Sequence, residues 1–414
     1  MEEKYLLVID IGSKNITAAI GKIENSEIEI TGIGTAPSEG IQRGVIVHLD
    51  KTVKTIREAV SRAENDAGIN EKDAIIGISG PYLKSMNASG VYNRPRYNEE
   101  ITEIDVQYAV EAAKSSVNFP DREIIHLTPQ SYSVDNQTDI ISKPIGMIGK
   151  KITLNAHIAT SSITAAQNII RSVNFAGYNV KELVPNFAAS GYSTLTADEK
   201  KMGVILADIG EVTIDLSLYI NGSVIHSSVN ILGGFNITRD LSVCLRIPFK
   251  EAERIKKEYG NLLSSNSDDK EIEVAALGSK RKKNVKISDI NNIISARAKE
   301  IFDIIAYDVI NSKMDNVIPV GMILTGGTSK LKGIAGFAEA MLKMPVRLGI
   351  PKFVKGRKEV IENPENAAVI GLLLYSMENA DFSANNISKK RDFFDANIFT
   401  SAFSNLKTLK EKFF

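Results

Sequence analysis

Two short stretches of this chain read almost alike. Leu7-Val8-Ile9-Asp10-Ile11-Gly12 is an apolar run ending on an acid and a glycine turn, and Ile16-Thr17-Ala18-Ala19-Ile20-Gly21 returns from it. Leu206-Ala207-Asp208-Ile209-Gly210, with a returning run from Val212 to Tyr219, repeats the pattern 198 residues later. Each predicts a hairpin of buried strands, and the repetition predicts a duplicated architecture. A carboxylate at a strand end beside a glycine turn, presented twice, suits a phosphate chain. The glycines let backbone N–H groups come close, and the acids can face a divalent ion, through water in the case of magnesium. On this reading Asp10, Gly12, Ser13 and Asn15 form one arm of a phosphate clamp, with Lys14 adding positive charge. Asp208, Gly210 and Thr213 form the other arm. Either copy alone would read as an ordinary tight turn.

The interval also sets the scale. A chain of 414 residues exceeds the ~150-residue prior for one domain, so two or more are expected. Hydrophobic residues at 43% and charged residues at 24% fit a soluble globular protein and exclude collagen, wholesale disorder and a polytopic membrane protein. Fifty Lys and Arg balance fifty Asp and Glu, so no global basic field favours nucleic acid, and no nucleic-acid partner is expected. Cys244 is the only cysteine, which rules out an intrachain disulfide and a cysteine zinc cluster and suits a reducing cytosol. Met1 to Asp10 places two acids ahead of a short apolar run, unlike a secretory signal. No run reaches the ~18 apolar residues of a membrane span, so any membrane contact is expected from the surface.

Between and after the two hairpins the texture is α/β. A third strand is expected over Glu27 to Ile33 and another over Ala74 to Ser79. Val53, Ile56, Ala59, Val60 and Ala63 give Lys51 to Ala67 the period of an amphipathic helix, stopped by Gly68. From Leu83 to about Ala159, prolines at 95, 120, 129 and 144 punctuate a helix candidate (Thr102 to Ser116) and short strands, as an inserted module would. A helix from Ser162 to Ala176 resumes the pattern. Residues 264–286 read as a polar loop or hairpin, and Ile287 to Met314 as one long helix. The strand Gly321 to Leu324 ends in the turn Thr325-Gly326-Gly327-Thr328, a geometry suited to a nucleoside packing on backbone. Glu253 and Lys256 lie three apart on a predicted helix; in isolation such a pair reads as a solvated face. The histidines at 48, 126, 157 and 226 are scattered, and no Ser/His/Asp or metal-ligand set is present.

Taken in order, the two Asp-Ile-Gly hairpins, Gly233-Gly234-Phe235-Asn236-Ile237-Thr238-Arg239-Asp240, Ala252-Glu253-Arg254-Ile255-Lys256 through Gly260, and Leu324-Thr325-Gly326-Gly327 resemble the actin and sugar-kinase ATPase superfamily. Ile145-Gly146-Met147-Ile148-Gly149 after Lys143-Pro144, and Leu195-Thr196-Ala197-Asp198-Glu199-Lys200-Lys201-Met202-Gly203, narrow this to a resemblance to the FtsA family, bacterial actin homologues of cell division, over about residues 4–376. The resemblance implies an α/β, actin-like, two-lobed ATPase fold with duplicated mixed sheets. Residues 1–82, 161–200 and 346–377 would form the core of the first lobe, with 83–160 a family-specific (SHS2-like) insertion. Residues 201–235 and 300–345 would form the second core, and 236–299 its outer subdomain. It further implies an ATP site: first phosphate loop Asp10 to Asn15, second Asp208 to Asp215, Gly233 and Gly234 beside it, Gly326, Gly327 and Thr328 in the adenosine loop, and Glu253 and Lys256 beside the base. Mg2+ would sit near Asp10 and Asp208, through water. Family members form filaments, hold the FtsZ ring at the cytoplasmic face of the membrane and recruit later division proteins.

Two departures matter. The superfamily's second phosphate loop is usually Asp-x-Gly-Gly-Gly-Thr-x-Asp, but here Glu211 and Val212 replace two glycines. Their Cβ atoms restrict backbone approach, and Glu211 would bring negative charge toward the γ-phosphate. The segment joining the halves, Val184 to Ser190, holds no carboxylate to position water; Asn186 is the polar side chain best placed. Weak hydrolysis at most is expected, with ATP setting the lobe angle and polymer contacts. The alternatives are another actin-like adaptor, such as the pilus-assembly PilM type, or a sugar-kinase-type phosphotransferase, which needs a carboxylate base that the sequence does not place.

The segment 378–398 is polar and reads as a tether. Beyond it, Phe399, Phe403, Leu406, Leu409, Phe413 and Phe414 fall on one helical face, with Lys407, Lys410 and Lys412 on the other and Glu411 the only acid. Three lysines less one glutamate leave +2 over 399–414. An anionic bilayer surface accepts such a face into its acyl boundary and the lysines among its headgroups.

Overall fold

The computed structural model describes residues 4–384, apart from 97, 136, 138–142, 264–269, 279–281 and 314–317, and for 380–384 the backbone alone. The first hairpin is β1 (Lys4–Ile11) and β2 (Asn15–Glu24), followed by β3 (Glu27–Pro37), which runs four residues beyond the expected strand. A two-residue hairpin, β4 (Ile41–Gln42) and β5 (Val45–Ile46), leads into α1 (Leu49–Ala67), ended by Gly68 at φ 67°. After β6 (Asp73–Ile78) the chain leaves for the insertion: β7 (Leu83–Asn93), α2 (Glu103–Ser115), β8 (Arg122–Val134) and β9 (Lys151–Ser162). It returns through α3 (Ile163–Ala176), β10 (Asn179–Pro185), α4 (Asn186–Thr194) and α5 (Ala197–Met202). The cap residues explain the helix starts: Thr102 and Asp105 form a capping box on α2, Ser162 caps α3, and Thr196 with Glu199 boxes α5.

The second cycle is β11 (Val204–Ile209), β12 (Ile214–Ile220), β13 (Ser223–Asn230), α6 (Gly234–Cys244), α7 (Phe249–Tyr259), the hairpin β14 (Glu271–Ala275) and β15 (Lys282–Lys286), α8 (Ile287–Asn311), β16 (Met322–Thr325), α9 (Ile334–Leu342), β17 (Val346–Leu348), α10 (Lys358–Ile361) and α11 (Ala367–Ala384). Two expected limits move. The returning strand begins at Ile214 because Glu211 to Thr213 belong to the turn, and the long helix ends at Asn311 with Ser312 as its C-cap.

The duplication is visible in the strand orders. The first sheet runs β3-β2-β1-β6-β10 and the second β13-β12-β11-β16-β17. In both, an antiparallel three-strand meander continues into two parallel strands. Alternation along the strands gives the first sheet two buried faces. Leu7, Ile9, Ala18 and Ile20 pack with α1 and α3, while Val8 and Ala19 pack against Val369, Ile370, Leu372 and Leu373 of α11. The second sheet packs Ile205, Ala207 and Leu216 against Ile294, Ile301, Phe302 and Ile305 of α8.

The insertion has its own sheet, β7-β9-β8, and its own small core of Val106, Ala109, Ala113, Ile152 and Leu154. It also reaches the second lobe. Gln130 donates to the Val224 carbonyl (2.7 Å), Asn87 to that of Ile225 (2.9 Å) and Ser85 to that of Ser227 (2.6 Å). His157, buried, lies 2.8 Å from Ser227 Oγ and 2.7 Å from Asn87 Oδ1. Side chains of the insertion thus line β13, the edge strand of the second sheet.

The last described helix enters the segment expected as a tether. Residues 378–384 continue α11, since a helix nucleated on buried Leu372 to Ser376 propagates through Met, Glu and Ala without a breaker. The rest of the segment expected as a tether, and Phe399, Phe403, Leu406, Lys407, Leu409, Lys410, Phe413 and Phe414, lie outside the described residues. Among the described residues no helix is long and apolar enough to cross a membrane.

Candidate nucleotide cleft

Both strand-end acids stand where their hairpins turn, and one helix serves both. Asp10 Oδ1 accepts a hydrogen bond from Asn186 Nδ2 at 2.9 Å, and Asp208 Oδ2 accepts one from Ser190 Oγ. Asn186 and Ser190 are four apart on α4, the helix that joins the halves, so they share a face. A third acid enters from β12. Asp215 Oδ2 accepts from Ser79 Oγ at 2.6 Å, and Ser79 Oγ lies 3.0 Å from Thr213 Oγ1, so the lobes meet through side chains at the end of β6.

The glycine turns are bound to one another. The Gly210 carbonyl accepts from Gly234 N (3.1 Å) and Thr328 Oγ1 (2.8 Å), while Gly210 N donates to Thr213 O (2.8 Å). Gly326 adopts φ 82°, and a Cβ there would lie 2.2 Å from Asp208 Oδ1; only glycine fits this place on both counts. The side chain of Glu365 lies over Gly327 and pairs with Lys330 at 3.3 Å. In the first loop, Ser38 Oγ holds the Gly12 carbonyl at 2.7 Å and Ser38 N holds that of Lys14 at 2.8 Å, with Ser13 at the tip. Asn15 opens β2 opposite Pro37.

Glu253 and Lys256 are not a solvated pair. They stand 2.7 Å apart with side chains 19% and 11% exposed, and Lys256 Nζ also donates to Gly234 O and Thr238 Oγ1. Burial raises the Glu253 carboxyl, but bonds from Lys256 and Thr238, the Lys256 charge and Lys257 outweigh it and hold it at about 2. From the other lobe, Lys14 Nζ comes to 3.6 Å from Glu211 and 3.8 Å from Glu253. Glu211 therefore has a cation beside it.

The three aspartates behave oppositely. Burial pushes Asp10 up to about 7, against the bond from Asn186 and with the charge of Asp208 adding to it. Burial pushes Asp208 up to about 6 in spite of Ser190. Asp215 is raised well above the carboxylate range by burial and by Asp208. Acids crowded and buried in this way are stabilised by a cation. Asp215 Oδ1 and Asn186 Oδ1 are each buried without a hydrogen-bond partner. Buried carboxylates such as Asp10 and Asp208 are hard oxygen donors of the kind that suits hydrated magnesium. Among the described residues no group of three His, Cys, Asp or Glu side chains could hold a metal directly.

Sequence reasoning placed the clamp acids and glycines at one cleft but missed Ser38, Ser79, Ser190 and the inward role of Asp215. The spacing of Asn186 and Ser190 in the joining segment was the one available signal.

Facing duplicated sheets with strand-end acids and glycine turns gathered between them define an actin-like protein. The structure of MreB5 of Spiroplasma citri bound to ADP superposes with a TM-score of 0.56 at 12% identity over 92% of this chain and 99% of that one. That of the PilM-PilN type IV pilus biogenesis complex does so at 0.67 and 16% over 90% and 98%. These likenesses show the fold. A family model described as cell division protein FtsA matches residues 205–371, and one described as the SHS2 domain inserted in FtsA matches 80–160. The cell division protein FtsA of Pseudomonas aeruginosa is 33% identical over 377 residues, 91% of this chain and 90% of that protein, and that of Neisseria meningitidis is 36% identical over 376, 90% of each. The chain belongs to the FtsA family of cell-division proteins.

Proposed function

We propose that this chain is a nucleotide-controlled, filament-forming adaptor that holds the FtsZ ring at the cytoplasmic face of the membrane. The observation that carries the reading is the joint hold of α4 on Asp10 and Asp208, which ties a clamp from both lobes to the helix between them. Magnesium, when bound with ATP, supplies the positive charge that the buried acids and the phosphates share. Asp10 and Asp208 orient its water shell, the turns at Gly12 and Gly210 admit the phosphates, Gly233 and Gly234 leave room beside them, and Gly326, Gly327 and Thr328 back the nucleoside. The absence of a carboxylate on the joining helix, where Asn186 is engaged with Asp10, favours occupancy over turnover as the control: bound nucleotide fixes the lobe angle, and the angle sets contacts between copies.

The amphipathic pattern of 399–414 supports the membrane part of the reading. Family membership favours this partner set over that of the pilus adaptor, whose likeness is one of fold. Calorimetric titration of the full chain with Mg-ATP, with Asp208→Ala as control, tests the clamp: micromolar binding lost in the variant supports it, and no binding at millimolar ATP overturns it. Co-sedimentation with phosphatidylglycerol vesicles, with and without 399–414, tests the anchor. FtsZ polymers recruited to those vesicles by the full chain alone would complete it.

A further inference from the structure

We propose that the insertion is a strut between the lobes, and that its grip on β13 is coupled through Ser79 to occupancy of the nucleotide cleft; this rests on the nucleotide reading above. The insertion grows from the first lobe, and its three strands meet at residues 79–83. There β7 starts at Leu83, while Arg122 Nη2, at the start of β8, and Ser162 N, at the end of β9, donate to the Tyr82 carbonyl at 2.7 and 3.2 Å. This root is closely packed. Tyr82 Oη donates to the Ser79 carbonyl at 3.3 Å, and a Cβ on Gly80 would lie 2.4 Å from the Tyr82 ring and 2.8 Å from the Gly44 carbonyl. A segment so filled transmits a shift to its neighbours instead of absorbing it.

From that root the insertion follows the edge of the second lobe in order. Ser79 Oγ donates to Asp215 Oδ2 at 2.6 Å and lies 3.0 Å from Thr213 Oγ1, and Asp215 is paired with Val229 between β12 and β13. Ser85 then takes the Ser227 carbonyl, His157 meets Ser227 Oγ, and Asn87 takes the Ile225 carbonyl. Gln130 closes the line, donating to the Val224 carbonyl while its own carbonyl accepts from Ser223 Oγ at 3.3 Å. The contacts thus form one seam, with the second phosphate loop at one end and the start of β13 at the other. Ser79, His157, Asp215 and Ser227 are buried, so a bond lost there leaves a desolvated group unmet. The two sides of the seam belong to different lobes, so its fit and the lobe angle constrain each other. A nucleotide that fixes Thr213 and its loop fixes the place of Asp215 against Ser79, and through the packed root the seat of the insertion on β13. Coupling of this kind is reciprocal: if nucleotide tightens the seam, loosening its far end weakens nucleotide.

The test combines calorimetric Mg-ATP affinity with amide exchange along 223–230, without and with saturating Mg-ATP, at a concentration below that of assembly. It uses the full chain, Ser79→Ala, Ser79→Thr and the pair Asn87→Ala with Gln130→Ala. In the wild type, bound Mg-ATP should slow exchange of β13 about fivefold or more. Ser79→Ala, saturated with nucleotide, should lose that slowing, and Ser79→Thr, which keeps the hydroxyl, should restore it. The distal pair should weaken Mg-ATP by about the same factor, although neither residue lies in the cleft. Exchange of β13 indifferent to nucleotide in the wild type, or unchanged affinity in the distal pair, would overturn the proposal and leave the clamp standing. Slowing retained in Ser79→Ala would overturn the route through Ser79. No binding of Mg-ATP by the wild type would remove the nucleotide reading and this inference together. Wild-type protection of β1 and β11 in each variant shows that it is folded.

Discussion

Asn186 and Ser190 stand one turn apart on the helix that joins the lobes, and each donates to an aspartate from a different lobe. Rotation of one lobe against the other therefore bears on α4, which is buried along most of its length. The helix lies on one of the two chain connections between the halves and is the hydrogen-bond donor to both clamp acids.

Ser190→Ala leaves Asp208 without its donor in a buried place. A loss of about 1–3 kcal/mol of stability is expected, read as a lower denaturant midpoint at unchanged slope. The same change in an Asp208→Asn background should cost clearly less. Equal costs in the two backgrounds would detach Ser190 from Asp208.

Gly326→Ala drives a Cβ to 2.2 Å from Asp208 Oδ1 at a backbone angle that L residues rarely adopt. Asp208 must move, and Mg-ATP affinity should fall at least tenfold while the far-ultraviolet dichroism is kept. Unaltered affinity would place the nucleotide elsewhere.

The hold of the insertion on β13 is open to amide exchange. Asn87→Ala with Gln130→Ala removes donors to the carbonyls of Ile225 and Val224, at a net cost of about 1 kcal/mol each. Exchange along β13 should quicken while that of β9, in the insertion's own core, stays slow. Parallel quickening of both would show that the insertion itself had loosened.

His157 gives the stability a pH dependence of known sign. Burial, with the charges of His226 and His126, holds its folded value at about 3 against 6.5 when unfolded. Between those limits the unfolded chain binds the proton and the folded chain does not, so stability falls as pH drops below 6.5. From pH 7 to pH 5 the loss from this group is about 2 kcal/mol. His157→Gln should flatten that part of the stability profile, and an unchanged slope would assign it to other groups.

Much of this was legible in the residues. The two hairpins announce themselves because an apolar run, an acid and a glycine fix a strand, its end and its turn locally. The cleft follows once they are seen as a pair. Ser79 and Ser190 carried no such mark: a serine in an apolar run looks incidental until the fold places an aspartate against it. Taken alone, Glu253 and Lys256 read as a solvated pair, because helical spacing says which face two residues share and nothing about what covers that face; it was the order of the surrounding motifs that put them beside the nucleotide. Residues 378–384 looked like tether by composition, whereas a helix already anchored on buried leucines needs no further hydrophobic support to continue.

The capped edge of the second sheet has a last consequence. An open edge strand invites a strand from another chain to extend the sheet. Along β13 the carbonyls of Val224, Ile225 and Ser227 are already taken by Gln130, Asn87 and Ser85. A second copy could not add a strand there without first evicting the insertion, so this edge is closed to sheet-to-sheet merging between copies and to the aggregation that such merging begins.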